Sequence, residues 1–171
     1  MERNSLKTNT WRCYLVTLLL LSLCSSQGFA RDLHGRFGLG YNNEFANAEG
    51  SNSVPGISLK YGLTRAIAIN PIFGVRTSSP SNTVAALKFY KNIFYETNLN
   101  FHFMFGGGVI TADSRTAADF ISGFGAEFFI PGVESLGISV EVGGGFSNVT
   151  DEFVFRTLGM SILDAGVHFY F

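Results

Sequence analysis

The sequence is short of cysteine and tryptophan, and the first shortage limits how the protein can be stabilised. Of its 171 residues, two are cysteine and one is tryptophan. Cys13 and Cys24 both lie in the first thirty residues, so the rest of the chain has no thiol and forms no disulfide. Small exported soluble domains commonly depend on disulfides. The chain must obtain its stability in another way.

Charged residues are also sparse, at 15% of the chain. Without residues 1–30 there remain nine basic and twelve acidic residues, a net charge of −3. No basic patch or charge run is present, so we expect no nucleic-acid partner. The length is that of a single domain. The abundant residues are unusual for a globular core, because 20 are glycine and 18 are phenylalanine.

Residues 1–30 have the pattern of a signal peptide that is removed on export. A basic start precedes the apolar run Cys13–Leu23, and Gly28 and Ala30 supply the small residues before a cleavage site. We expect cleavage after Ala30 and a mature domain of residues 31–171. A single transmembrane anchor is the alternative, although the run is about half of the ~20 residues that a spanning helix needs. A lipoprotein would use Cys24, but a leucine precedes it where a small residue is expected.

The mature chain alternates with a period of two residues, which indicates β-strands. The clearest example is residues 98–106, in which Phe103 and its neighbour His102 fall on opposite faces. The same period recurs in Phe37–Tyr41, Ile57–Tyr61, Ile67–Val75, Ala85–Phe89, Phe124–Phe128, Ile138–Val142 and Leu163–Phe171. No segment has a convincing helical stripe. The pattern predicts eight strands.

The connections between these strands alternate in length. Polar or irregular stretches occupy residues 42–53, 77–82, 107–118 and 147–155, whereas tighter connections lie near residues 63–65, 91–92 and 131–135. Long loops at one end and short turns at the other are typical of outer-membrane barrels. The pattern predicts an eight-stranded antiparallel transmembrane β-barrel with both chain ends at the turn side. Residues 155–160 fit either a loop or an out-of-phase strand start with a bulge.

A soluble barrel of the lipocalin kind would show the same alternation, so the two faces must be compared. One face is almost entirely Phe, Tyr, Leu, Ile and Val. The other has many small residues: Gly38, Gly40, Ser58, Gly62, Ala68, Gly74, Gly123, Gly125, Ser139 and Gly143. Glycine makes a poor strand surface in water but suits the crowded interior of an eight-stranded barrel. This favours the apolar face contacting lipid.

The chain ends in Gly166–Phe171, an alternating segment with an aromatic final residue. With its Gly-rich strands, the mature chain resembles the small outer-membrane β-barrels of the OmpA-like and OmpX-like type. The resemblance implies the cell outer membrane, contact with its lipid and lipopolysaccharide, and a monomer. It also implies that Val167, Phe169 and Phe171 form the signal read by the barrel-assembly machinery. It says little about activity, because that fold has porin-like, adhesive, structural and enzymatic members.

Polar side chains on the small-residue face would fill the lumen. They are Lys60, Arg76, Lys88, His102, Glu127, Glu141, Asp164 and His168. Bases come from the early strands and acids from the late ones, so the two sets can meet across a narrow interior. Because an unpaired buried charge is costly, we expect a structural network of ion pairs and hydrogen bonds. A gated conduit is the alternative.

Enzymatic motifs are weak. A serine hydrolase needs a base beside its nucleophile and an acid beside the base, yet His34, His102 and His168 lack the His-x-Ser spacing of lipid A deacylases. We therefore expect no catalytic residues, cofactor or metal. Four acidic residues, Asp113, Asp119, Asp151 and Glu152, are predicted in or near the outer loops, where scattered carboxylates usually keep a loop solvated. The predicted role is structural or surface-interacting, with passage of small solutes or acyl hydrolysis as alternatives.

Overall fold

The computed structural model describes residues 32–42, 56–77, 81–112, 115–148, 152–158 and 164–171. The predicted signal peptide, its cleavage site at Ala30, Asp113 and Asp151 lie outside these residues. In the described part of the chain, no helix is long and apolar enough to cross a membrane.

All the regular structure in these ranges is β-strand. The strands are β1 Phe37–Asn42, β2 Gly56–Gly62, β3 Ile67–Arg76, β4 Asn82–Glu96, β5 Leu99–Ala112, β6 Arg115–Ile130, β7 Val133–Ser147, β8 Val154–Thr157 and β9 Asp164–Tyr170. Neighbours pair antiparallel, β6 pairs with β7, and β1 pairs with β9. Strands β8 and β9 both pair with β7, at different positions along it. The two strands therefore occupy a single position around the barrel, one above the other, so that nine strands form an eight-stranded wall. The predicted closed eight-stranded antiparallel barrel is confirmed.

The pairing register fixes how far the strands are staggered. Gly137 of β7 lies opposite His168 of β9, and the residue opposite each one can be followed in this way from strand to strand around the barrel. The series ends on β7 at Ser147, so the stagger of the barrel is the ten residues between Gly137 and Ser147. Strand number and stagger together set the width of a barrel. This barrel is therefore narrow enough for side chains to fill.

The two faces separate as the alternation predicts. His102 points inward and is 1% exposed, whereas Phe105 and Phe124 on the outer face are about half exposed. Because many inward residues are small, neighbouring strands can pack closely and long side chains from the opposite wall fit into the lumen. A Cβ added at Gly123 or Gly143 would collide with the backbone of the other strand. Glycine is required at these two positions by the close pairing of β6 and β7.

Two predicted connections were wrong, and each error has a local cause. Strand β4 continues through the expected turn near residues 91–92 to Glu96, because a bulge between Asn92 and Phe94 interrupts the two-residue period. The expected loop at 107–118 is mostly strand, since β5 ends at Ala112 and β6 begins at Arg115. Glycines 106–108 therefore lie within the wall of the barrel.

The region after β7 contains the short strand β8, whose inward-facing positions continue in the same two-residue period into β9. Arg156 of β8 lies opposite Gly145, and Asp164 of β9 lies opposite Glu141. In both strands the even-numbered residues face inward. The out-of-phase alternative for this region is wrong.

The chain before β1 folds under the turn-side end of the barrel. Leu33 is 4% exposed and packs with Phe129 and Tyr170. Gly35 has a φ of 73° and donates its N–H to the Gly62 carbonyl at 2.8 Å. Only a residue that tolerates the left-handed region makes this turn without strain. Leu33 thereby closes the turn-side end of the lumen.

Candidate functional site

The predicted lumen residues project from seven different strands toward the barrel axis. Seven of them are at most 3% exposed: Lys60, Lys88, His102, Glu127, Glu141, Asp164 and His168. Arg76 is only half-buried, at the loop-side end of β3. The alternation of the strands accounts for this placement, because each residue lies at an inward position of its own strand.

The first group in the lumen joins opposite walls. Lys60 of β2 and Glu127 of β6 form an ion pair with 2.9 Å between Nζ and Oε2. The other carboxylate oxygen accepts a hydrogen bond from the Tyr170 hydroxyl at 2.6 Å. The Lys60 ammonium also lies 4.2 Å from the centre of the Tyr90 ring. Both charges are therefore compensated by a charged partner and by a further polar or aromatic contact.

The second group contains two bases on one carboxylate. Lys88 of β4 lies 2.5 Å from Oε2 of Glu141, and His102 Nε2 lies 3.2 Å from Oε1. The Tyr90 ring contacts the His102 ring edge to face at 5.0 Å. Its hydroxyl accepts a hydrogen bond from the Asn70 amide at 3.3 Å. Tyr90 thus lies between the two ion-paired groups and contacts both lysines.

Asp164 is the buried acid of β9. It is 3% exposed and lies directly opposite Glu141 in the pairing of β7 with β9. Its Oδ2 has no hydrogen-bond partner among the described residues. The structure thus brings Asp164 into the same part of the lumen as Glu141 and Lys88.

One pair in the lumen resembles part of a hydrolase site. Ser58 Oγ lies 2.7 Å from His168 Nε2, the arrangement of a nucleophile and a base. Both residues are at most 1% exposed, and no described residue bonds to His168 Nδ1. A substrate would have to enter a filled lumen, and the acid that orients the base is not found among the described residues. The geometry favours a structural hydrogen bond.

The sequence missed an ion pair near the loop side of the lumen. Asp119, predicted in or near an outer loop, is a fully buried inward residue of β6. It pairs with Arg156 of β8. The prediction was wrong because Ala117 and Ala118 gave no apolar alternation to mark the start of the strand. Continuing the phase of β6 backwards from Glu127 would have placed Asp119 inside.

Apart from the Asp119–Arg156 pair and buried polar side chains such as Asn82 and Ser147, the loop-side part of the lumen is apolar, although the sequence predicted a polar interior. One cluster of inward side chains extends from the level of the ion-paired groups toward the loop side: Ala68, Tyr90, Met104, Ile72, Ala86, Ile121, Leu158, Val84 and Ile110. On β4, Val84 and Ala86 precede Lys88 toward the loop side, and on β6 Ile121 precedes Glu127. The charged groups are therefore covered by an apolar layer. In the described residues, no cluster of three or more His, Cys, Asp or Glu side chains could hold a metal ion.

Comparisons with known proteins identify the fold. No model of a known protein family matches the sequence, and no curated protein matches it. The structure is similar to the crystal structure of the N-terminal β-barrel domain of Pseudomonas aeruginosa OprF, with a TM-score of 0.50 and 14% sequence identity. The similarity covers 80% of this chain and 96% of that domain. The chain has the fold of the OmpA-like outer-membrane β-barrels, as the resemblance implied.

Proposed function

We propose that the chain is an integral outer-membrane β-barrel protein with a structural or surface-interaction role and no enzymatic activity. The observation that supports this most directly is the inverted distribution of side chains. Phe73, Phe120 and Phe146 are more than half exposed on the outer face, while Lys88 and Glu141 are at most 1% exposed inside. Water would disfavour such an outer face, whereas lipid is as apolar as these rings.

The contents of the lumen support a closed rather than a conducting barrel. Leu33, Phe129 and Tyr170 lie at the turn side. The two charged groups and then the apolar cluster follow toward the loop side. Eight strands leave an interior that such side chains can fill. The barrel therefore acts through its outer wall and its loops.

Depth-dependent substitutions on the outer face of β6 test insertion into a membrane. Phe124 lies in the middle of the strand, and Thr116 lies at its loop-side end on the same face. Arginine on the lipid face costs about 2 to 4 kcal/mol at the midplane and about 0 to 1 kcal/mol near the interface. Phe124→Arg should therefore lower the free energy of unfolding in lipid vesicles, measured by urea titration, while the matched variant Thr116→Arg should lower it little.

Two results would contradict the proposal. Equal small effects of both arginines, together with folding of the mature chain in plain buffer, would mean that the outer face contacts water. Large and stable openings of the refolded wild-type protein in planar bilayers would replace the structural role by passage of solutes. Steady conductance should instead be little or none.

A further inference from the structure

A short segment before β1 covers the turn-side end of the lumen but lies outside the pairing of the barrel wall. Residues 32–34 precede Gly35, whose φ is 73°, and only Leu33 among them is buried. The ladder of β1 and β2 begins after them, where the Gly62 N–H donates to the Arg36 carbonyl at 3.2 Å. The segment could therefore move without breaking a strand pair.

Few described contacts hold this segment against the barrel. The Gly35 N–H donates to the Gly62 carbonyl at 2.8 Å, and His34 forms a single parallel bridge with Gly62. The Leu33 side chain packs on Tyr170. Parts of a protein with few buried apolar contacts open locally at a lower free energy than global unfolding requires. Leu33 is thus the main side chain that keeps the segment closed.

Gly35 is placed to act as the hinge of this segment. It is exposed, and a Cβ at this position would meet no atom within 4 Å. Glycine adopts left-handed and right-handed conformations about equally readily, so rotation at Gly35 costs little. Gly62, in contrast, is tightly covered, because a Cβ there would collide with the Leu33 carbonyl. The segment therefore docks closely on the wall beside a joint that can rotate.

We propose that residues 32–34 form a strap that swings on Gly35 and opens the turn-side end of the lumen while the strand pairs of the wall stay formed. Above the strap, the Tyr170 hydroxyl donates to Glu127, which pairs with Lys60. Opening of the strap admits water to this ion-paired group. The lumen then communicates with the solvent at the turn side only.

The apolar cluster of the lumen limits how far water can enter from the open end. On β6, Ile121 lies on the loop side of Glu127. On β5, Met104 lies on the loop side of His102. Ile121 and Met104 are at most 3% exposed, and they belong to a cluster separate from that of Leu33. The space behind the strap is therefore a chamber with one mouth rather than a pore.

Labelling of single engineered thiols tests the strap, since the mature chain contains no cysteine. Ala68 is buried opposite Gly62 at the turn side, and Ala86 is buried further toward the loop side on β4. The variants Ala68→Cys and Ala86→Cys are refolded in detergent, and their reaction rates with a small charged methanethiosulfonate are measured by mass spectrometry. Adding Leu33→Ala should accelerate labelling of Ala68→Cys at least about tenfold, because it removes most of the burial that keeps the strap closed. Labelling of Ala86→Cys should not change.

A matched pair of glycines separates opening of the strap from general strain. Gly35→Ala forces a side chain into the left-handed region at the hinge, and Gly132→Ala does the same in the turn between β6 and β7, where φ is 84°. Gly35→Ala should accelerate labelling of Ala68→Cys about fivefold, whereas Gly132→Ala should leave it unchanged. Labelling that responds to neither Leu33→Ala nor Gly35→Ala would overturn the inference. Equal acceleration at Ala68→Cys and Ala86→Cys would also overturn it, because the whole barrel would then have loosened.

Discussion

The turn-side part of the lumen is filled mainly by ion pairs and the loop-side part mainly by apolar side chains, with the Asp119–Arg156 pair as the exception. Near the turns, Lys60 and Lys88 pair with Glu127 and Glu141, and all four are at most 3% exposed. Toward the loops, Ile72, Val84, Ile121 and their neighbours form an apolar cluster. The strands, their pairing and the small inward residues continue through both parts. The wall itself therefore does not dictate what fills it.

The difference shows what each filling demands of the sequence. An apolar side chain needs only the right volume, and its neighbours relax in part when it is changed. A buried charge needs a partner of opposite sign at a particular place, because packing contacts alone do not offset the free energy of removing the charge from water. The turn-side network is thus the part of the lumen where a single change should be felt most.

The largest expected effect comes from removing one charge of the turn-side network. Glu127→Gln keeps an acceptor for the Tyr170 hydroxyl but leaves the Lys60 ammonium buried without its counter-charge. The free energy of unfolding in lipid vesicles should fall by about 3 to 5 kcal/mol. Combining it with Lys60→Met should recover most of the loss. A double variant as unstable as the single one would show that the charge pairing does not account for the effect.

Truncation in the apolar part should have a smaller effect that grows with the volume removed. Ile121 is 3% exposed within the apolar cluster. Ile121→Ala should lower the free energy of unfolding by about 2 to 4 kcal/mol, and Ile121→Val by about 0.5 to 1.5 kcal/mol. Urea titration of both variants checks this order. Equal losses for alanine and valine would mean that packing volume does not control stability there.

The smallest expected effect concerns the ion pair nearest the loops. Asp119 is fully buried, whereas the side chain of its partner Arg156 is 16% exposed, compared with 3% for Lys60, so we expect loss of the carboxylate charge to leave a less completely desolvated cation. Asp119→Asn should lower the free energy of unfolding by about 1 to 2 kcal/mol. The matched comparison is Glu127→Gln under the same conditions. If the two losses were equal, depth in the lumen would not decide the cost of breaking a pair.

The faces of the barrel could be predicted from the sequence, whereas the pairing of its charges could not. A two-residue period places Lys60, Glu127 and the other charged lumen residues on the inner face, even when the ends of the strands are predicted a few residues too early or too late. Which base meets which acid depends on the stagger of ten residues, and nothing in the alternation of a single strand reports it. The sequence therefore predicted that the lumen contains a network of ion pairs, but not which residues form each pair.

Strand ends were missed where small residues interrupt the alternation. The alternating pattern stopped at residue 106 and at Val142, yet glycines 107–108 and 143–145 continue β5 and β7. Phe120 packs against Gly107 and Phe155 against Gly144 on the outer face, so the neighbouring strand supplies the apolar surface that glycine lacks. Such compensation between strands cannot be detected within one segment.

The pairing of β1 with β9 means that the barrel wall has no structurally unique seam. Arg36 reaches the Tyr170 carbonyl at 3.4 Å, and the Phe171 N–H donates to the Phe37 carbonyl at 2.8 Å. A short linker could join Phe171 to residue 32, and new termini could be opened in one of the loops. Such a circularly permuted chain would contain every strand pair described above, in the same register.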